Sequence, residues 1–289
     1  MVFAAASISG RASKEQPTAT AIQTNERKAI LVEDAHARPM MGIEVLEPVP
    51  AQNVPYEVSD PYILVHEAAV PINPDRAKLD TTHPHRGFDN LWYILSGVAS
   101  TGHSTGPDGT FERAKLETGG LLKIRTGRGV YHAEDIGADE LREGKTGEFR
   151  SVLFWVNLAR KDKDVDPTAQ VVRPEQLPTA TEGDAIVRTL VGPGSPVELG
   201  TPGLILDVEL QEGGSFSAPV DPEFNAFVWM LEGEASIGAN ALHAAQSQIA
   251  VLGSGGALTV TDAQPGTRFM LMAGKPYGEA PIYNGPYVD

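Results

Sequence analysis

Apolar residues in this chain come in short runs. Ala29-Ile30-Leu31-Val32, Gly42-Ile43-Glu44-Val45-Leu46 and Pro61-Tyr62-Ile63-Leu64-Val65 are each bounded by Pro, Asp, Asn or Gly, which is the pattern of strands and not of helices. The pattern continues through Leu91-Trp92-Tyr93-Ile94-Leu95, Thr110-Phe111-Glu112-Arg113-Ala114, Gly120-Leu121-Leu122-Lys123-Ile124 and Ser151-Val152-Leu153-Phe154-Trp155-Val156. No long stretch carries a helical stripe, and only short helices are expected, around Ala138 to Glu143 and Arg173 to Leu177. The pattern predicts an all-β fold, with 30 Gly and 22 Pro to supply its turns.

Residues 1–27 are rich in Ala, Ser, Thr and Gln without periodicity and read as a flexible tail, with no basic stretch of the kind that opens a secretory signal. Between Asn157 and Asp184 the chain turns polar, with Lys161-Asp162-Lys163-Asp164 and repeated Pro. This predicts a first domain over 28–160, a linker over 161–183 and a second domain over 184–289. A second series of runs follows: Leu204-Ile205-Leu206-Asp207-Val208, Phe227-Val228-Trp229-Met230-Leu231, Ile249-Ala250-Val251-Leu252, Leu258-Thr259-Val260 and Arg268-Phe269-Met270-Leu271-Met272. Laying Leu91-Trp92-Tyr93-Ile94-Leu95-Ser96-Gly97 over Phe227-Val228-Trp229-Met230-Leu231-Glu232-Gly233 matches apolar with apolar and Gly with Gly, as a duplicated β-barrel would.

Chemistry concentrates in His83-Pro84-His85-Arg86-Gly87-Phe88-Asp89 and Tyr131-His132-Ala133-Glu134. Residues two apart on a strand share a face, so His83 with His85, and His132 with Glu134, can aim at one point. Three imidazoles and a carboxylate suit a borderline first-row divalent metal and leave room for water or substrate. Pro84 cannot donate to a ladder, which places its segment at a rim or bulge. Carried back without a gap, the repeat register sets Pro219 at His83 and Asp221 at His85, so the second barrel is expected to be empty. His36, His66 and His243 read as surface or satisfied core residues. His103 is a candidate pocket or turn residue, and Asp89 a candidate acceptor for a ligand imidazole or a solvated strand-start carboxylate. Thr126-Gly127-Arg128-Gly129 lacks the Lys and the helix of a phosphate loop and reads as a tight turn, with Arg86 and Arg128 expected in solvated or structural ion pairs in preference to binding an anionic substrate.

The formal charge of −15 and the absence of any Lys/Arg-rich run argue against direct nucleic-acid binding. With no cysteine there are no disulfides, thiolate nucleophiles or sulfur ligands, a composition that fits the cytoplasm. No apolar run reaches the roughly 20 residues of a membrane helix.

His83-Pro84-His85-Arg86-Gly87-Phe88, the turn Thr126-Gly127-Arg128-Gly129-Val130 leading into His132-Ala133-Glu134, and Asn284-Gly285-Pro286-Tyr287-Val288 together resemble the pirins of the cupin superfamily, over about Lys28 to Asp289. The resemblance implies two tandem cupin barrels of the double-stranded β-helix (jelly-roll) type. It implies one iron, Fe(II), held by His83, His85, His132 and Glu134, and an empty second barrel. Two departures stand out: pirins usually carry Glu at Asp89, and His-x-Asp-Ser where this chain has Gly102-His103-Ser104-Thr105. For function it implies a flavonol dioxygenase of the quercetin 2,3-dioxygenase type, with O2 as co-substrate and Glu134 as catalytic base. The alternative is a nuclear iron protein whose metal state governs binding to a protein partner such as a transcription factor. The ligand set alone also suits a Zn-dependent sugar-phosphate isomerase.

Overall fold

Strand Phe88–Ser96 shows why the apolar runs here are continuous and not alternating: both of its faces are buried. Leu91, Tyr93 and Leu95 enter one apolar cluster, while Trp92 and Ile94 enter another. The strand lies third in a seven-stranded antiparallel sheet ordered Thr168–Val172, Leu121–Arg125, Phe88–Ser96, Glu148–Asn157, Tyr62–Pro71, Ile43–Val49 and His36–Met40. A four-stranded sheet, His83–His85, Val130–Ile136, Val98–His103 and Glu112–Glu117, closes the first barrel over Trp92, Ile94, Leu122, Ile124, Val130 and Phe149.

The second barrel repeats the plan. Its seven-stranded sheet runs Ala29–Asp34, Gln248–Leu252, Asn225–Glu232, Thr267–Gly274, Gly203–Leu210, Ala185–Val191 and Thr179–Glu182. Its four-stranded sheet is Gly214–Pro219, Ala257–Ala263, Glu234–Ile237 and Leu242–Ala245. The fold is therefore all-β, as the apolar pattern predicts, with the two tandem jelly-roll barrels that the family resemblance implies. This computed structural model describes residues 25–72, 80–136 and 147–289, so the short helix expected near Ala138 lies outside the described residues. The helical pieces that do form are a single turn, Tyr56–Ser59, and 3-10 turns including Pro174–Gln176, the latter inside the span expected to be helical. No helix among the described residues is long and apolar enough to cross a membrane.

The two large sheets meet face to face. Leu91, Tyr93 and Leu95 pack in one cluster with Phe227, Trp229 and Leu231, their partners in the repeat register. Trp92 and its partner Val228 point the other way, each into its own barrel. The turn glycines Gly97 and Gly233 match too, at φ of 92° and 72°, a conformation that side chains with a Cβ avoid. Polar groups buried between the sheets are paired. Trp229 Nε1–H donates to Glu67 Oε2 at 2.9 Å, Arg150 bridges Glu67 and Glu232, and Asp207 accepts from Tyr93 Oη (2.6 Å) and Arg268.

Two segments sit elsewhere than their sequence neighbourhood suggests. Ala29–Asp34, expected in the first domain, pairs with Gln248–Leu252 of the second barrel, where it covers what would otherwise be a bare sheet edge. Just before it Arg27, expected in the tail, is 1% exposed and donates to the carbonyls of Gly253, Asp221 and Phe224 at 2.7 to 2.9 Å. Thr168–Val172, inside the expected linker, pairs with Leu121–Arg125 and buries Val172. The neighbouring run of Lys and Asp hides that strand's apolar positions from a composition reading.

Trp229→Ala is expected to destabilise the protein by about 3–5 kcal/mol, through the cavity and the loss of the donor to Glu67 Oε2. Trp229→Phe, which keeps a ring but leaves Glu67 Oε2 without its donor, should cost about 1–3 kcal/mol. Urea unfolding followed by near-ultraviolet circular dichroism measures both, and equal midpoints for Trp229→Phe and the wild type would show the Glu67 hydrogen bond to be inconsequential.

Candidate metal centre

His83–His85 is the edge strand of the small sheet of the first barrel, the place where Pro84 leaves no ladder bond unmade. Its register against Val130–Ile136 sets His85 opposite Val130, Pro84 opposite Tyr131 and His83 opposite His132. Alternation then turns Tyr131 outward, 57% exposed, and turns the histidines inward. The Thr126-Gly127-Arg128-Gly129 turn delivers this strand. Thr126 Oγ1 accepts from the Phe88 N–H (3.0 Å) and donates to the Phe88 carbonyl (2.7 Å), while Arg128 pairs with Asp166, so the turn reading holds.

His83, His85 and His132 bring one donor nitrogen each within 4.8 Å of one another. Nε2 of His83 lies 3.0 Å from Nε2 of His132. Neighbouring ligands on an octahedral metal with bonds of about 2.1 Å stand about 3.0 Å apart, so this spacing fits a shared ion. The other ring nitrogens supply the orientation. Nδ1–H of His83 donates to the Thr81 carbonyl (2.6 Å) and Nδ1–H of His85 to the Pro286 carbonyl (3.3 Å). A carbonyl can only accept, so each bond leaves Nε2 with its lone pair free for a metal. Burial lowers the pKa of all three imidazoles; that of His85 falls to about 3, with the charge of His83 adding to the effect. Neutral imidazole is the form that ligates.

Glu134 stands beside this group and not within it. Its Oε1 is 3.9 Å from Nδ1 of His132, and both atoms are buried without a hydrogen-bond partner. Two unpaired buried atoms side by side call for a cation or a proton. Burial alone pushes the Glu134 carboxyl up to about 7.

The centre opens on a cavity of about 550 Å³. His83, His85, His66 and Glu134 supply its chemistry, while Met40, Met41, Ile63, Leu64, Leu153 and Trp155 make most of the wall. Trp155 stacks on Phe88, with ring centroids 4.2 Å apart, and meets the His85 ring edge-on at 4.8 Å. Sequence reasoning left Trp155 and Leu153 in a strand; their alternation with buried Phe154 was the signal that they face the barrel interior. Nothing in the sequence points to the Pro286 carbonyl except its place in a family motif.

The remaining candidates resolve as follows. Asp89 is neither an acceptor for a ligand imidazole nor solvated. It is fully buried on the opposite sheet face, accepts from Arg125 Nε and Nη2 (2.9 and 3.0 Å) and from the Gly200 N–H (2.9 Å), and has Lys123 at 3.8 Å. The reason is strand parity: Asp89 shares a face with Leu91, not with the ligands. His103 pairs in the ladder with His132 but bonds Thr105 Oγ1 (2.9 Å), apart from the cavity wall. Arg86 forms ion pairs with Asp164 and Asp289. His66 is buried and donates to Glu47. His36 and His243 lie on the surface.

The second barrel shows why it holds no such group. By strand pairing, Phe216 faces Val260 and Ala218 faces Leu258, as His83 faces His132 and His85 faces Val130. All four side chains lie in the barrel's apolar core. The counterparts of the three histidines are thus Phe216, Ala218 and Val260, and not Pro219 and Asp221 as a gap-free register implies. Residues inserted between Ala218 and Phe227 shift the register by three, since eight residues separate that pair where five separate His85 from Leu91. The fold is reused, with packing where the first barrel has ligands.

Comparison with known proteins agrees with this architecture. Residues 205–289 match the pirin C-terminal cupin domain. Pirin from Mus musculus is 33% identical over 216 residues, covering 71% of this chain and 70% of the relative. Among solved structures, a quercetin 2,3-dioxygenase from Acinetobacter baumannii superposes with a TM-score of 0.80 at 21% identity, covering 91% of this chain and 92% of that one. A bacterial pirin from Escherichia coli in complex with nickel(II) superposes with a TM-score of 0.62 at 16% identity, covering 88% and 99%. With two barrels, one histidine triad and a relative this similar over most of its length, the chain belongs to the pirin family.

Proposed function

We propose that this protein is an iron-dependent dioxygenase of flavonols, with one Fe(II) held by His83, His85, His132 and Glu134. The observation that carries the reading is the cavity: a largely apolar chamber of about 550 Å³ with His83, His85 and an unpartnered carboxyl in its wall, His132 lying buried behind them. That volume is in the range of sites for drug-sized aromatic ligands. Two fold neighbours are quercetin 2,3-dioxygenases, which supports the substrate class.

A divalent iron at the triad would polarise a substrate hydroxyl and leave a position for O2. The chain's own groups do the rest. Burial pushes the Glu134 carboxyl of the metal-free protein up to about 7, and with the ion bound a Glu134 oxygen released from it would take the proton of the substrate hydroxyl. Trp155, Leu64 and Met40 offer flat apolar contacts to a planar ring system and keep water from the reacting carbon. The wall disfavours a sugar-phosphate isomerase: among the described residues its one Arg or Lys, Arg38, is already bonded to Glu47 (3.0 Å).

His83→Ala and His132→Ala are expected to lose bound metal while their metal-free melting temperatures stay within a few degrees of the wild type, because the apolar cores carry the stability of a chain this long. Elemental analysis with calorimetry checks this; stoichiometric metal in both variants would show the ligand set to be wrong. The iron-loaded protein given quercetin in oxygenated buffer should release carbon monoxide as the flavonol absorbance falls. Glu134→Gln should lower that rate about 10²- to 10⁴-fold. No carbon monoxide and no flavonol loss from protein with verified iron would sink the dioxygenase reading and leave a metal-dependent binding protein.

A further inference from the structure

The ribbon Tyr283–Asn284 and Tyr287–Val288 follows the last strand of the second barrel in sequence, yet it docks on the first. It is closed by reciprocal bonds between Ile282 and Asp289, at 2.7 and 2.9 Å. Val288 is fully buried against Ile63 and Phe88, and its N–H donates to the Arg86 carbonyl at 3.0 Å. Lys163 Nζ donates to the carbonyls of Val288 (3.2 Å) and Gly87 (2.7 Å) and to Asn157 Oδ1 (2.7 Å), tying the ribbon to the ligand strand. Arg86 Nε adds Asp289 at 3.0 Å. Gly87 is shaped for this contact: at φ +90°, a Cβ there would lie 1.7 Å from the Val288 carbonyl oxygen.

Two further features join the ribbon to the centre. The Pro286 carbonyl accepts Nδ1–H of His85, and Tyr283 and Gly285 line the cavity. Without that carbonyl, the His85 proton is free to move to Nε2, and only the Nδ1–H tautomer ligates through Nε2.

We propose that residues 282–289 are a latch coupled to the metal: Pro286 is a positioning residue for His85, the docked ribbon raises metal affinity, and bound metal tightens docking. Binding equilibria are reciprocal, so the factor by which the ribbon strengthens metal binding is the factor by which metal stabilises the ribbon. Metal occupancy thereby controls one wall of the cavity. The inference rests on metal binding by the triad and not on flavonol turnover.

The test uses Co(II) as probe, with affinity measured by chelator competition and by the visible spectrum of the bound ion. Deletion of 282–289 should weaken Co(II) binding about 10- to 100-fold and alter that spectrum, with far-ultraviolet circular dichroism unchanged. In the full chain, hydrogen exchange of the Val288 amide should slow on adding Co(II) by the same factor. Nitrogen NMR of the metal-free full chain should place the His85 proton on Nδ1, and on a mixture of nitrogens after deletion. Lys163→Met, which keeps every residue of the ribbon, should shift affinity and exchange in the same direction by less, and it decides the matter if the deletion does not fold. Unchanged affinity, spectrum and exchange overturn the latch. A full chain that binds no Co(II) removes the latch and the metal centre together, whereas one that binds Co(II) with the coupling but oxidises no flavonol removes only the activity.

Discussion

Three imidazoles converge on one point only if the backbone holds them there, and the antiparallel pairing of His83–His85 with Val130–Ile136 is what does so. A slip of one residue would turn His83 and His85 out and put Pro84 in their place. The register is held from both ends. On one side the Thr126 hydroxyl is locked to both backbone groups of Phe88. On the other, the Asp89–Arg125 pair fixes the adjacent strands from the far face of the sheet. The apolar barrel core and the packing of sheet on sheet give this frame the rigidity that ligand placement requires.

The same frame in the second half encloses a different interior. Phe216, Ala218 and Val260 stand at the ligand positions, and they gain stability from burial alone. The first barrel forgoes that gain. Its histidines are buried as neutral rings and Glu134 as an unpaired carboxyl, an arrangement that favours a protein kept for chemistry over one kept for packing. The duplication thus separates two uses of one architecture, a scaffold barrel and a site barrel, joined by the Trp229–Glu67 face.

Short apolar runs closed by turn residues made the β-class legible, because that pattern is local. The repeat register was legible at its centre for the same reason, and it failed ahead of Phe227, where inserted loop residues leave no apolar mark. His83, His85 and His132 were legible because spacing on a strand is also local. What stayed hidden depends on contacts between residues far apart in sequence. The role of Asp89 turns on which face of its strand meets the other half. The cavity wall is assembled from Met40, Tyr56, Trp155 and Tyr283, which no window of sequence contains together. Arg27 looked like tail because its partners are carbonyls nearly two hundred residues away or more.

The pairing of Ala29–Asp34 with Gln248–Leu252 has a consequence for how the protein is made. As the chain leaves the ribosome, residues 29–34 emerge about two hundred residues ahead of their partner strand. Until then that strand has no sheet to join, and the first barrel also lacks the ribbon carrying Val288. Neither half can reach its final form ahead of the other. The two barrels therefore depend on each other's segments for completion, and a chain interrupted before residue 248 would display an unpaired strand for chaperones or proteases to find.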